Sequence, residues 1–349
     1  MKKNPLGRTG ISVTELCLGT MTFGTQTTSD EAHAQIDMAL DRGINFVDTA
    51  EMYPVNPVAK ETIGRTEEIV GDWIAASGRR SDMILATKHS GEGMRFVRDG
   101  APISSKTIRE TLEGSLKRLK TDYVDLYQFH WPNRGSYMFR KNWAYDPSAS
   151  GWDRTRIVEN IEECLGALQD EVQRGTIRAF GLSNESAWGT TQWIEAAARV
   201  GGPRVASLQN EYSLMCRMAD TDVAEMCVHE DVGLLPFSPL ACGYLTGKYS
   251  GGAVPDGSRM SLSPQMGGRR NDRAMEIADK YVALAGAHGV DPIHMALAWS
   301  ARRPFVASSI FGATTLAQLD HALGAADIVL SDELMAALDD LHRANPMPY

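Results

Sequence analysis

Apolar positions along the chain change their spacing again and again, in a fixed order. In "TTSDEAHAQIDMALDRG", Ala32, Ile36, Ala39 and Leu40 share one helical face. Thr28 and Glu31 stand before it at capping-box spacing, and Gly43 stands behind it as a terminator. "INFVD" follows at once as a short buried strand. "RTEEIVGDWIAASG" puts Ile69, Val70, Trp73 and Ile74 on one stripe, and "MILATK" reads as a strand. "SKTIRETLEGSLKRL" repeats Ile108, Leu112, Leu116 and Leu119 at helical steps, and "YVDLYQFH" is the next strand. The same reading predicts helices over 155–174, 186–200, 219–230, 272–288, 292–302, 315–325 and 332–342. It predicts strands over 177–183, 205–210, 233–238 and 305–312. Ahead of them, "LGRTGISVTELCLG" reads as a hairpin turning at Thr9-Gly10.

Strand and helix thus alternate about eight times, and parallel strands joined by helical crossovers are the economical arrangement. Eight repeats favour closure, which leaves no sheet edge exposed. The expected fold is α/β: a (β/α)8 TIM barrel with an N-terminal β-hairpin and extra C-terminal helices, a single domain over 1–349. A doubly wound open sheet is the alternative; against it, no GxGxxG follows the first strand. Two stretches, 90–104 and 132–154, read as long loops, the second rich in aromatic and polar residues.

Composition narrows the class. An apolar fraction of 43% and a charged fraction of 23% are those of an ordinary globular protein. A net charge of −9 argues against nucleic acid or an anionic membrane as a general partner. No apolar run reaches the roughly 18 residues of a membrane span, and no apolar segment follows the opening lysines, so a cytoplasmic location is expected. Cys17, Cys164, Cys216, Cys227 and Cys242 are scattered, without a CxxC or HExxH, so neither a disulfide framework nor a metal site is expected.

Barrel enzymes place their chemistry at the C-terminal ends of the strands. Three such ends carry side chains that an apolar strand has little reason to bear. "INFVD" ends in Asp48 with Tyr53 in the following loop, "MILATK" ends in Lys88, and "YVDLYQFH" ends in His130. Each residue alone has an ordinary explanation as a turn cap, a packed aromatic, a solvated strand end or a core histidine. Together on one rim they suit carbonyl reduction. A phenol, with pKa of about 10, is a weak acid at neutral pH, and a neighbouring ammonium favours the phenolate. Lys88 would act so on Tyr53, Asp48 would hold the lysine charged, and His130 would hydrogen-bond the substrate oxygen.

The segments around these residues resemble the aldo-keto reductase family. They are "GINFVDTAEMY", "GRTEEIVG", "ATK", "SLKRLKTDYVDLYQFHWP", "GLSN", "LQNEYSL", "PFSPLACGYLTGKY" and "GATTLAQL", in family order from about residue 6 to 340. "TMTFG", "AEMYP" and "FHWP" are most similar to its Tas-like bacterial branch, related to potassium-channel β-subunits. The resemblance implies NADPH-dependent reduction of aldehydes and ketones, with Asp48, Tyr53, Lys88 and His130 as catalytic tetrad and Tyr53 as the acid. It implies nicotinamide contacts at Gly19, Thr20, Met21, Ser183, Asn184 and Gln209, and more weakly at Tyr212. Ser238, Pro239, Leu240 and Gly243 match the loop along the pyrophosphate. Lys248 and Arg259 match basic residues near the phosphates, where Arg269 and Arg270 add charge. Gly312, Thr314 and Gln318 match the adenosine end. His321 and Ala322 depart from the family pattern at the adenine.

Phe23, Met52, Trp131 and the 132–154 segment are candidates for the substrate pocket, and the resemblance implies a small-molecule aldehyde or ketone as substrate. Two other classes compete. One is a slow-turnover NADP(H)-binding regulator resembling the channel subunits. The other is a barrel hydrolase or isomerase, which needs a second carboxylate or a metal cluster at the rim; Glu51 is the nearest candidate.

Overall fold

Eight parallel strands form one sheet in the computed structural model, which describes residues 1–349. They are β3 (Leu16–Gly19), β4 (Phe46–Asp48), β5 (Ile84–His89), β6 (Val124–Phe129), β7 (Ile177–Ser183), β8 (Val205–Gln209), β9 (Gly233–Leu234) and β10 (Ser309–Phe311). Strand β10 pairs with β3, and the order then follows the sequence to β9. The sheet closes on itself. Leu234 pairs with Val306 and Phe237 with Ile310, and the Ile310 N–H donates to the Pro236 carbonyl at 2.8 Å. The seventh strand was expected over 233–238, yet its regular ladder covers two residues. Pro236 has no N–H to give, so the remainder survives only as isolated bridges.

Helices α1 (Ser29–Asp41), α2 (Arg65–Ser77), α3 (Ser105–Leu119), α4 (Arg154–Arg174), α5 (Ala187–Val200) and α6 (Asp222–His229) cross between successive strands. The short α7 (Arg259–Leu262) precedes α8 (Asp272–Ala287) and α9 (Pro292–Ala301), and α10 (Leu316–Leu323) and α11 (Asp332–Ala344) end the chain. Thr28 caps α1 by accepting from the Glu31 N–H at 3.3 Å, but the expected reciprocal box is absent. The Glu31 carboxylate instead accepts from the backbone of Leu316. A reciprocal box does occur at Ser104 and Thr107, heading α3.

An antiparallel hairpin of β1 (Lys3–Pro5) and β2 (Ser12–Thr14) plugs one end of the barrel. Leu6, Ile11 and Val13 pack there with Cys17, Phe46, Ala86, Leu126 and Ala179. Gly7 makes the close approach possible. Its φ is +57°, and a Cβ there would lie 2.7 Å from the Ala206 carbonyl oxygen.

This apolar layer fixes the direction of the residues above it, because side chains on a strand alternate faces with period two. Phe46, Ala86 and Leu126 point into the lumen, so Asp48, Lys88 and Gln128, two residues on, point there too. Val47, Leu85 and Tyr127, each one position away from a lumen-facing residue, face outward into the larger core beneath the helices. The barrel interior therefore changes from apolar to charged at one level, near the C-terminal ends of the strands.

Candidate active site

At that level Lys88 and Asp48 meet, with no exposed surface on the lysine and 2% on the aspartate. Lys88 Nζ lies 2.5 Å from Asp48 Oδ2 and donates to the Thr49 carbonyl at 2.7 Å. The other carboxylate oxygen accepts from Gln209 Nε2 at 2.9 Å and Gln128 Nε2 at 3.1 Å. Burial opposes the charged lysine, but Asp48 and, after it, Tyr53 together outweigh burial and the Lys88 pKa is raised. The ammonium is therefore held charged.

Tyr53 arrives from the loop after β4. A turn to Ala50 (Tyr53 N to Ala50 O, 3.0 Å) and a bond from Val55 N to the Met21 carbonyl fold this loop back over the rim. The phenol oxygen lies 3.4 Å from Lys88 Nζ. Burial pushes the Tyr53 pKa up, and Lys88 offsets only part of that rise. The expectation that Lys88 makes this phenol more acidic than usual is thus corrected: its field acts in that direction, but desolvation wins and the hydroxyl keeps its proton. His130 follows β6 directly, and its ring meets Tyr53 edge-on at 5.8 Å between centroids. Burial, with Lys88 adding to it, holds His130 well below 6.5, so the imidazole is neutral. Its Nδ1 is buried without a hydrogen-bond partner.

The nicotinamide candidates lie on the same rim. Ser183 Oγ donates to the Gln209 carbonyl at 2.9 Å, and Asn184 Nδ2 donates to the His130 carbonyl at 2.9 Å. Asn184 has φ +52°, and its Oδ1 is buried without a donor. A buried acceptor left bare costs about 1–3 kcal/mol, so this atom points to a ligand carrying an N–H, as a carboxamide does. Thr20 is tied to the Asp48 carbonyl through its backbone and its hydroxyl. Gly19 and Gly312 face each other: a Cβ on Gly312 would lie 3.1 Å from the Gly19 carbonyl oxygen.

The loop after β9 carries the anion candidates. Ser238, Ala241, Cys242 and Gly243 all have positive φ, in a chain turn that also includes Pro239 and Leu240. A Cβ on Gly243 would lie 2.8 Å from Lys248 Cε, so the glycine gives that lysine its place. The Lys248 pKa is lowered by burial first and by Arg259 second, and neither cation forms an ion pair within the chain. Two neighbouring cations without a carboxylate partner make this loop the candidate site for an anion. Thr314 and Gln318 stand at the start of α10, where the Gln318 side-chain Oε1 accepts from the Thr314 N–H and hydroxyl, each at 3.0 Å.

Several expectations are corrected. Phe23 is fully enclosed in the core and offers no face to a substrate. Arg269 is not a phosphate ligand: it is buried on Glu211, with Nε and Nη2 at 3.0 and 2.8 Å from the carboxylate oxygens. Tyr212 is also buried, stacked on Trp299 at 5.1 Å with its hydroxyl on Asp220. Met52 is nearly enclosed beside Ala50 and Val97. Trp131 does reach the rim. It lies beside His130, donates to the Glu92 carbonyl at 3.1 Å and meets Phe139 edge-on at 6.1 Å.

Glu51 is spent on structure, accepting from Ser90 N and pairing with Arg98, each at 2.6 Å. It therefore leaves no free second carboxylate beside Asp48. Gln128 is a site residue the sequence reading missed; the signal was a lone amide at an inward position of an apolar strand. Arg140 was also missed. It reaches from the 132–154 loop to Glu211 at 2.5 Å and, with Arg134 on Glu185 and Ser136 on the Asn184 carbonyl, ties that loop down. A cavity of about 450 Å³ lies beneath it, lined by Tyr137, Tyr145, Arg154 and Trp188. No helix is long and apolar enough to cross a membrane.

Comparison with known proteins agrees with this geometry. The model of the aldo/keto reductase family matches residues 15–343. Protein tas of Escherichia coli is 39% identical over 100% of this chain and 99% of its own. The uncharacterized oxidoreductase YrpG of Bacillus subtilis is 34% identical over 98% of this chain and 96% of its own. A probable voltage-gated potassium channel β-subunit of Arabidopsis thaliana is 31% identical over 94% and 92%. With a family match over nearly its whole length and relatives of this identity, the chain belongs to the aldo/keto reductase family.

Proposed function

We propose that the protein reduces aldehydes or ketones to alcohols with NADPH, Tyr53 acting as the general acid. The observation that carries this is the Lys88 ammonium, buried and held charged by Asp48, 3.4 Å from a phenol that keeps its proton. A protonated hydroxyl is the form a reduction consumes.

The residues present fit the cofactor. The bare Asn184 Oδ1, with Ser183 and Gln209 beside it, suits a carboxamide. The unpaired Lys248 and Arg259 suit phosphates, and a second cation favours the additional phosphate of NADPH over NADH. Gly19, Thr20, Met21, the Ser238–Gly243 loop, Gly312, Thr314 and Gln318 would complete its cradle. Bound there, the reduced nicotinamide supplies a hydride.

The chain's own residues do the rest. Neutral His130 donates a hydrogen bond to the substrate oxygen and fixes its direction. Tyr53 gives that oxygen its proton as negative charge develops on it. The ammonium of Lys88 stabilises the phenolate left behind, and Asp48, gripped by Gln128 and Gln209, keeps the ammonium in place. Trp131 and the tethered 132–154 loop would border the substrate.

A second reading, a slow NADP(H)-binding regulator, is favoured by the likeness to proteins named as potassium-channel β-subunits. Following NADPH absorbance against a panel of aldehydes, ketones and quinones separates the two. Rapid repeated turnover supports the reductase, and a single slow oxidation of bound NADPH supports the regulator.

A further inference from the structure

Outside the site around Tyr53, three metal-ligating side chains converge where the start of α9 meets α10. Asp291 caps α9: its Oδ1 accepts from the backbone N–H groups of Ile293 and His294 at 2.9 and 3.1 Å. That leaves Oδ2 facing His321 Nε2 at 3.0 Å. His294, in the first turn of α9, has Nε2 2.7 Å from the backbone oxygen of His321. A carbonyl oxygen only accepts, so this contact puts the proton on Nε2 and leaves the lone pair on Nδ1. The two imidazoles lie 5.0 Å apart. Asp291, His294 and His321 each offer a ligand atom, and all three atoms lie within 4.8 Å of one another.

The backbone makes room for this arrangement. A Cβ on Gly324 would lie 2.7 Å from Cε1 and Nε2 of His294. Gly324 has φ −59°, a conformation open to any residue, so it is the imidazole and not the turn that excludes a side chain there.

We propose that Asp291, His294 and His321 form a binding site for a divalent transition metal that clamps α9 to α10. Two imidazoles and one carboxylate suit zinc, nickel or copper and not magnesium or calcium, which prefer oxygen ligands. A histidine whose other ring nitrogen donates to a backbone carbonyl is the arrangement that orients metal-bound imidazoles. The ion takes the place of the proton between His321 and Asp291, and the half-exposed His321 side chain is free to close the remaining distance. Three protein ligands leave a further position for water.

Titration of the full chain with Zn²⁺ and with Co²⁺ tests this, using a Cys242→Ser background to remove the accessible thiol. The expected result is a single Zn²⁺ per chain, a visible Co²⁺ absorption band and a rise in melting temperature with Zn²⁺. His321→Ala and His294→Ala should each weaken Zn²⁺ binding by at least about tenfold. His321 lies at the surface, so His321→Ala should keep the metal-free melting temperature while losing the Zn²⁺-induced rise. No binding, several weak equivalent sites, or unchanged affinity in His321→Ala overturns the proposal.

Discussion

Lys88 and Asp48 form an enclosed ion pair at 2.5 Å, on neighbouring strands of a barrel whose lower layer is apolar. The pair holds an ammonium against a phenol, and the fold depends on keeping it matched. Removing one partner of a buried pair costs about 3–5 kcal/mol, because the other charge is left unpaired. Lys88→Met should therefore destabilise the protein by that order, measured by urea unfolding. Asp48→Asn combined with Lys88→Met should regain much of the stability but none of the turnover. A Lys88→Met protein as stable as the parent would contradict a mutually dependent buried pair.

His130 and Tyr53 are both held neutral, which sets the pH dependence. Reductive turnover should stay level from about pH 6 to about pH 9, because neither the imidazole nor the phenol changes charge there. An inflection near 6.5 in kcat would contradict a neutral His130. Stability should behave differently. His89 is lowered from 6.5 to about 3 by burial and by Arg98, and His130 is depressed too. The unfolded chain takes up protons on these residues below about 6.5 while the fold does not. Stability is thus complete above that pH and falls below it by about 1.4 kcal/mol per pH unit per histidine. Urea unfolding at stepped pH, with His89→Gln reducing the slope, checks this.

Lys248 and Arg269 separate two roles for cations in one neighbourhood. Lys248→Ala should weaken NADPH by about tenfold or more, the scale of a lost hydrogen bond to a charged group, with little change in melting temperature. Arg269→Ala should do the reverse, since it leaves the buried Glu211 with Arg140 alone. Fluorescence titration of NADPH and thermal melts on both variants decide it, and equal effects on nucleotide affinity would contradict the assignment.

The alternation of strand and helix and the rim position of Asp48, Lys88 and His130 were legible because period two and period 3.6 are local properties of the chain. What stayed hidden depends on three-dimensional neighbours. Nothing in "GGRRND" distinguishes Arg269, buried on Glu211, from Arg270, exposed next to it. Phe23 stands near the rim in sequence yet points into the core. Gln128 announced itself only as a polar residue on an apolar strand, and its partner Asp48 lies 80 positions away. The net rise of the Tyr53 pKa was equally hidden, because the sequence shows the nearby lysine but not the depth of burial that outweighs it.

Gly71 illustrates the same point as a prediction. In sequence it is a weak spot within α2, where alanine is intrinsically better by about 1 kcal/mol. In the fold a Cβ there would lie 2.1 Å from the Arg118 carbonyl oxygen at the end of α3. Overpacking of this kind costs about 1–3 kcal/mol, so after the helix gain Gly71→Ala should still destabilise, by up to about 2 kcal/mol net. A thermal melt showing stabilisation would mean that α2 and α3 do not approach so closely.

The most direct test of the catalytic assignment is Tyr53→Phe, which removes one oxygen and leaves the ring. NADPH should bind with nearly unchanged affinity by fluorescence titration, while kcat for carbonyl reduction falls by about 10²–10⁴-fold. Undiminished turnover with intact NADPH binding would contradict Tyr53 as the proton donor.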